Sequence, residues 1–302
     1  DTIGQKKLPT AIRWSNTNVP GTNTNGYASF DVLDQKTVEQ HSGAITYLAL
    51  TTKGIQDGGQ LLILCENGSY VTMIGKQEIM GADQNTAFVV KANVLGDINP
   101  LRGKWACRNP RSVSEYQGYV FWVDTVNKAV IQFSQAGAEP ISKFKASRLW
   151  QKLLSHAEDV TCGVNPFTSE LMVSIVSDDS ASKESIDTFP DELDHFDAWY
   201  PDGRTYLYNW QTNKWVGSYN SGAEFINVGD KVFSWRNGKL STEFTGNAGV
   251  YYGSNCEAVI AIPFNKDYPV IKSPRSIRVV ANRKPDKTYI RTETGETTII
   301  YP

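Results

Sequence analysis

Short apolar segments alternate with turn-forming residues at fairly even spacing along most of this 302-residue chain. Segments rich in β-branched and aromatic residues include Ile45–Leu50, Gln60–Cys65, Gly118–Asp124 and Glu170–Val176. The sequence Glu66-Asn67-Gly68 predicts a tight hairpin, because Asn-Gly pairs favour turns that need positive φ at both central residues. Short strands bounded by such turns are typical of antiparallel sheets. The chain is therefore predicted to be all-β.

Three longer stretches share one order of features. An apolar strand ends in an aromatic residue or Asp, a turn of Asn, Gly and Lys follows, and the next strand carries an aromatic residue. The stretches are Pro110–Ser142, Glu170–Tyr219 and Glu224–Phe244. A repeat of roughly 40–50 residues is typical of propeller blades, which bury their faces against neighbouring blades. The pattern predicts a β-propeller that is incomplete within this chain, and a β-sandwich of ordinary meanders is the alternative.

The predicted propeller covers residues 1–265, and residues 266–302 are predicted to form a C-terminal β-strand tail or the start of a further small β domain. Residues 177–200 are an acidic insertion whose composition is typical of a solvated loop. A calcium site is the alternative there, because Ca²⁺ takes several oxygen ligands. Only Lys145–His156 has spacing that predicts a helix. The acidic residues of the insertion are Asp178, Asp179, Glu184, Asp187, Asp191, Glu192, Asp194 and Asp197.

Aromatic residues are abundant, with 8 Trp, 14 Tyr and 12 Phe against 3 Met. Large rings fill the space between packed sheets, so four Trp residues within predicted strands are expected in the core or between blades. These are Trp122, Trp210, Trp215 and Trp235. The three Trp residues with more polar neighbours, to which no place is assigned, are Trp14, Trp105 and Trp199.

Charge and hydropathy argue against two classes of function. A net charge of −2 without a block of consecutive Lys or Arg does not favour phosphate neutralisation on nucleic acid. No apolar run approaches the ~20 residues that span a bilayer, and the polar N-terminus lacks the apolar segment of a secretory signal. The chain also lacks an initiator Met, which predicts a processed or partial product.

The chemistry-bearing residues form no recognisable catalytic pattern. The four Cys residues are widely spaced and are expected to be reduced, buried thiols, with disulfides as the alternative. His41, His156 and His195 lie far apart, and nucleophile-elbow, P-loop, dinucleotide and zinc-protease motifs are missing. No catalytic, cofactor-binding or metal-binding residue is assigned, and the chain is predicted not to be an enzyme. Carboxylates can pair in space rather than in sequence, so a glycan-cleaving enzyme stays an alternative.

Four groups of segments between residues 10 and 245 resemble, in order, a family of bacteriophage tail proteins. The family comprises the tail-hub or stabilisation proteins of short-tailed phages and the muzzle proteins of crAss-like phages, which carry propeller domains. The groups are Ile12–Asn16 with Pro20; Gly43–Leu48 with Leu61–Tyr70 and Ile74-Gly75; Asn109–Val113 with Gly118–Asp124 and Pro140–Ser142; and Tyr206–Trp210 with Asn213–Trp215 and Val232–Gly238.

The resemblance implies a structural virion component, a propeller that closes or stabilises the distal tail in several copies around the tail axis. It implies roles in host attachment and DNA ejection, and assembly in the host cytoplasm. The implied partners are other tail proteins (tube, hub, adaptor and fibres), further copies of the chain and the host surface, without direct nucleic-acid or membrane binding. The purified chain is expected to be soluble or loosely associated.

The long polar loops Asn16–Asn25 and Ser177–Tyr200 interrupt otherwise regular units and are the predicted contact segments. A carbohydrate- or host-receptor-binding propeller is the main alternative function. It predicts two or more exposed aromatic side chains that flank a polar pocket.

Overall fold

A computed structural model shows antiparallel β-sheets with little helix, which confirms the all-β prediction. The chain divides into two compact units, Asp1–Asp187 with Trp199–Thr245 and Thr188–Ala198 with Gly246–Pro302. The structure describes residues 7–16, 25–51, 59–80, 86–143, 146–177, 204–219, 223–236, 238–246, 250–252, 254–255, 288–291 and 297–300.

The described strands of the first unit form five sheets, named A to E in chain order. Sheet A pairs β1 (Ala11–Arg13) with β2 (Gln35–Thr37). Sheet B has the order β3 (Ile45–Leu50), β4 (Gln60–Cys65), β5 (Gly68–Met80) and β6 (Thr86–Leu95), and β7 (Asn99–Pro100) also pairs with β5. Sheet C runs through β8 (Ser114–Tyr116), β9 (Tyr119–Asp124), β10 (Ala129–Ser134) and β11 (Gly137–Pro140).

Sheets D and E repeat this meander. Sheet D runs through β12 (Ala157–Asn165), β13 (Glu170–Ser177), β14 (Arg204–Asn209) and β15 (Lys214–Tyr219). Sheet E contains β16 (Glu224–Val228), β17 (Lys231–Arg236) and β18 (Lys239–Thr242). In the described residues of the second unit, β19 (Val250–Tyr251) pairs with β20 (Ser254–Asn255) and β21 (Thr288–Arg291) pairs with β22 (Thr297–Ile300), both antiparallel.

Successive sheets pack against one another because their central strands are apolar on both faces. In β9, Val120 and Trp122 pack towards sheet B, whereas Phe121 and Val123 pack towards sheet D. In β4, Leu62 and Leu64 pack in the apolar cluster shared with sheet C, whereas Ile63 and Cys65 pack in the cluster shared with sheet A. Strand β13 contributes to the cluster shared with sheet C and, through Met172, to that shared with sheet E. Continuous apolar runs in the sequence are the consequence.

Aromatic rings fill the space between sheets C and D. Trp210 lies 5.7 Å from the ring of Phe121 and 5.8 Å from that of Tyr116, measured between ring centroids. The helix α1 (Ser147–Leu153) covers the same cluster with Trp150, whose ring lies 4.6 Å from that of Trp215. Spacings of this kind contribute about 0.5–1.5 kcal/mol per pair beyond area burial.

One hairpin turn occurs three times, in sheets C and D. An Asp or Asn at the end of a strand accepts hydrogen bonds from backbone N–H groups two or three residues later, and the residue four positions later has a positive φ. The turns begin at Asp124, Asn165 and Asn209, and their positive-φ residues are Lys128 (52°), Ser169 (56°) and Asn213 (53°). Side-chain acceptors of this type favour turns over continued strand.

Several sequence predictions need correction. Residues 66–67 do form the hairpin turn between β4 and β5, but neither Asn67 nor Gly68 has a positive φ, so the turn is not the Asn-Gly type expected. Trp235 is 46% exposed and does not lie in the core, unlike Trp122 and Trp210. The helix is shorter than expected at both ends.

Other expectations lie wholly or largely outside the described residues. The contact loop Asn16–Asn25 is described only at its two ends and the loop Ser177–Tyr200 only at Ser177, and Trp199 and Cys256 are not described. The calcium alternative for the acidic insertion and the assignment of residues 266–302 stay predictions for the same reason.

Candidate functional site

The first strands of successive sheets lie at the sheet edges, where these edges meet. Strand β12 contacts β8 of the preceding sheet and β16 of the following one. Gly163 of β12 makes this close approach possible, because a Cβ at that position would lie 2.5 Å from the Cβ of Phe225 in β16. Sheets C, D and E therefore meet at one polar region built from residues distant in sequence.

We call this region the polar junction, and it consists of Asn109, Arg111, Asp159 and Glu224. One guanidinium nitrogen of Arg111 lies 2.8 Å from a carboxylate oxygen of Asp159, and the other lies 2.9 Å from Glu224. Asn109 donates to the second oxygen of Asp159 at 2.9 Å and to the backbone carbonyl of Val160 at 2.8 Å. A single Arg side chain thus links three successive sheets.

The electrostatics of the polar junction favour a structural role. Both carboxylates are engaged by the same guanidinium, and the side chain of Arg111 is 55% exposed. Exposed ion pairs contribute only about 0–1 kcal/mol each, so the junction fixes geometry more than it adds stability. Within the described residues, no group of three or more His, Cys, Asp or Glu side chains is arranged to hold a metal ion.

Threonine hydroxyls make a second set of links between sheets. Thr46 in β3 donates to the carbonyl of Cys107 at 2.7 Å, just before sheet C begins. Thr161 in β12 donates in the same way to the carbonyl of Ala223 at 2.7 Å, just before sheet E begins. The repetition shows that neighbouring sheets are joined by similar contacts at their first strands.

Tyr47 and Glu115 form a further contact between the first strands of sheets B and C. Burial raises the pKa of Tyr47 to about 12, with a smaller contribution from the nearby Glu115 carboxylate. Burial also raises the pKa of Glu115, against the hydrogen bond that it accepts from Tyr47.

Three of the four cysteines lie in or next to the strands of sheets B, C and D. Cys65, Cys107 and Cys162 are free and buried, which confirms the expectation for these residues. Burial raises the pKa of Cys65 to about 12 and that of Cys107 to about 11, so both are protonated at neutral pH. Protonated, buried thiols are poor nucleophiles and poor metal ligands.

Within the described residues of the first unit, no strand packs on one side of sheet E, which we call the open face. In register, Trp235 pairs with Leu240, Ile226 with Phe233, and Val228 with Lys231. The opposite face of sheet E packs on sheet D through Phe225 and Val232, so these pairs point away from sheet D. The open face is apolar and exposed at Ile226 (50%), Val228 (62%), Trp235 (46%) and Leu240 (57%).

The sequence did not point to either region. Arg111 and Glu224 are 113 residues apart, and no local pattern links them. The open face could not be predicted because the sequences of β16 and β17 do not show which of their two faces another sheet covers. Helices in the described part of the chain are too short or too polar to cross a bilayer. Comparison with models of known protein families and with curated proteins found no match.

Proposed function

We propose that this chain is a structural component of a bacteriophage tail, and that its stacked sheets are blades of a β-propeller. The observation that carries the proposal is the succession of antiparallel sheets, each apolar on both faces, packed in chain order and joined at their first strands. Blades need this arrangement because each buries its faces only against neighbours. The sequence resemblance to tail-hub and muzzle proteins supplies the virion role.

The chemistry of the described surfaces agrees with assembly rather than catalysis. In the polar junction one guanidinium binds both carboxylates, and the open face offers apolar side chains of the kind that anchor protein interfaces. A sugar-binding propeller requires two or more exposed aromatic side chains around a polar pocket, and Trp235, whose register partners are Glu224 and Leu240, supplies one of them.

Proteomics of purified virions tests the proposal. Particles from the phage or induced prophage that encodes the chain are banded on a density gradient, and tails are separated from capsids. We expect peptides of this chain in the tail fraction, in constant ratio to tail-tube peptides, and portal and tail-tube genes beside its gene. Recovery only in the particle-free fraction, with tail-tube peptides present in the particles, would contradict the proposal.

A further inference from the structure

Among the described residues, sheet E has one strand fewer than the two sheets before it. Sheets C and D are four-stranded meanders, in which the third strand in chain order is followed by a fourth at the outer edge, β11 or β15. Sheet E repeats this order up to β18, its third strand. Within the described part of the chain, no strand pairs with the other edge of β18. The repeat therefore indicates what belongs there, an antiparallel fourth strand.

The register of β17 and β18 shows which backbone groups face that edge. The Glu243 N–H donates to the Val232 carbonyl at 2.9 Å, so these two residues form a hydrogen-bonded pair of the ladder. Such pairs alternate along an antiparallel ladder, so the backbone N–H and C=O groups of Leu240 and Thr242 point away from β17. The Thr245 hydroxyl binds the Thr242 carbonyl at 2.9 Å. No other described backbone group binds the Leu240 N–H and C=O or the Thr242 N–H, so these three groups can pair with a further strand.

The outer strands of sheets C and D carry features that oppose further pairing, and β18 does not share them. Strand β11 ends with Pro140, which has no N–H to donate. Strand β15 contains Gly217 beside a register shift, and a bulge of this kind interrupts pairing at an edge. Strand β18 has a regular register and contains neither Pro nor Gly. Leu240 is 57% exposed, so this edge is accessible.

We propose that the outer edge of β18 binds an extended segment of a partner protein as the fourth strand of sheet E. The segment runs antiparallel to β18, because β11 and β15 run antiparallel to the third strands of their sheets. An apolar residue fits opposite Leu240, which pairs with Trp235 on the open face, and an acidic residue fits opposite Lys239. Strand addition takes its affinity from main-chain hydrogen bonds and its specificity from alternate side chains. The inference goes beyond the proposed function, because it rests on the edge of β18 and not on a virion role.

A peptide titration followed by nuclear magnetic resonance tests the edge. The probe is the acetylated and amidated peptide Thr-Val-Ser-Val-Glu-Thr, whose antiparallel register places its second Val opposite Leu240 and its Glu opposite Lys239. At millimolar peptide, we expect the backbone amide signals of Leu240 and Thr242 to shift and their hydrogen exchange to slow several-fold. The control peptide carries an N-methyl group on its second Val and cannot donate to the Leu240 carbonyl, so it should cause no shift.

Variants of β18 separate the backbone edge from its side chains. Leu240→Pro removes the outward N–H and leaves the hydrogen bonds to β17 in place, so peptide binding should be lost. Leu240→Ala keeps that N–H and is the matched control, whose affinity should fall only several-fold. Lys239→Glu should also weaken binding several-fold, because it places two carboxylates opposite each other. Thermal unfolding midpoints show whether the variants are folded, and the N-methylated peptide tests the same edge in the wild-type chain.

Three results would overturn the inference. Slow hydrogen exchange of the Leu240 and Thr242 amides in the chain alone would show that another part of this chain already pairs with β18. Peptide binding that survives both Leu240→Pro and N-methylation would place the contact on a different surface. Unchanged amide signals at millimolar peptide would show that the edge does not accept a strand. Absence of the chain from virion tails would contradict the proposed function and leave this inference standing.

Discussion

Removing the carboxylate of Asp124 is expected to destabilise the fold far more than removing a similar turn residue. Asp124 is fully buried at the end of β9 and accepts four hydrogen bonds. Two come from the backbone of its own turn, Val126 at 2.9 Å and Asn127 at 2.8 Å. The others come from the Asn127 side chain at 2.7 Å and from the backbone N–H of Ala106 at 2.8 Å.

The contact with Ala106 makes Asp124 more than a turn residue. The segment around Ala106 is also bound by Trp122, which donates its indole N–H to the Ala106 carbonyl at 3.1 Å. The next residue, Cys107, donates its N–H to the carbonyl of Cys65 in sheet B at 2.9 Å. Asp124 therefore helps hold the connection between sheets B and C, and its loss leaves a buried N–H without an acceptor.

The magnitude follows from these contacts. Leaving the buried Ala106 N–H unsatisfied costs about 1–3 kcal/mol, and each hydrogen bond lost in the exposed turn costs about 0.5–1.5 kcal/mol. The free energy of unfolding should fall by about 3–5 kcal/mol in Asp124→Ala. Asn209→Ala is the matched control, because Asn209 also makes four hydrogen bonds in an equivalent turn, but water can replace them: it accepts from the N–H groups of Gln211 and Thr212 and from the Thr212 hydroxyl, and it donates to the Thr168 carbonyl. That variant should lose about 1–2 kcal/mol.

Urea unfolding followed by tryptophan fluorescence measures both variants. We expect Asp124→Ala to lower the free energy of unfolding by about 1–3 kcal/mol more than Asn209→Ala, a difference set by the buried N–H. Equal losses in the two variants would refute the reasoning, because they would show that the link to Ala106 contributes nothing.

Three further predictions concern the junctions between sheets. In urea unfolding, Gly163→Ala should lower the free energy of unfolding by about 1–3 kcal/mol, because the added Cβ overpacks the contact with Phe225. Gly217→Ala is the control and should be neutral or slightly stabilising, because a Cβ at that position meets nothing within 4 Å. Equal effects of the two substitutions would contradict this prediction. The thiols of Cys65 and Cys107 should resist iodoacetamide until the chain unfolds, as peptide mapping would show. Because their folded pKa values exceed the ordinary value of 9.0, stability should fall as pH rises above about 9. The pKa of Glu115 is also raised in the folded chain, so stability should fall as the pH rises above 4.5, the ordinary pKa of a Glu side chain. Melting temperatures measured across this pH range should lose that dependence in Glu115→Gln. An unchanged pH profile in the variant would refute the prediction.

Strands buried on both faces could be predicted from the sequence. Residues 61–65 and 119–123 are continuous apolar runs because neighbouring sheets cover both sides of β4 and β9. Strand β12 was not predicted, because it contains polar and small residues that contact neighbouring sheets. Asp159 and Thr161 form an ion pair and a hydrogen bond with those sheets, and Gly163 leaves space for Phe225. These polar and small residues resemble a loop when only the local pattern is considered.

The polar junction and the open face depend on the arrangement of sheets in space. Arg111 contacts Asp159 and Glu224 only because the first strands of three sheets converge. The spacing of these residues along the sequence does not indicate that convergence. Trp235 and Trp122 both lie in strands with apolar residues, yet Trp235 lies on the exposed side of the last sheet and Trp122 lies between two sheets. Exposure of an apolar strand is thus decided by its place in the stack.

The distribution of contacts explains how separate small cores become one rigid scaffold. Each apolar cluster is shared by two neighbouring sheets, so loosening one sheet exposes apolar surface on both sides of it. The polar contacts lie at the edges, where Thr46, Thr161 and Arg111 fix the position of each sheet relative to the next. A stack built in this way ends in an apolar face, which agrees with the proposed role within a larger assembly.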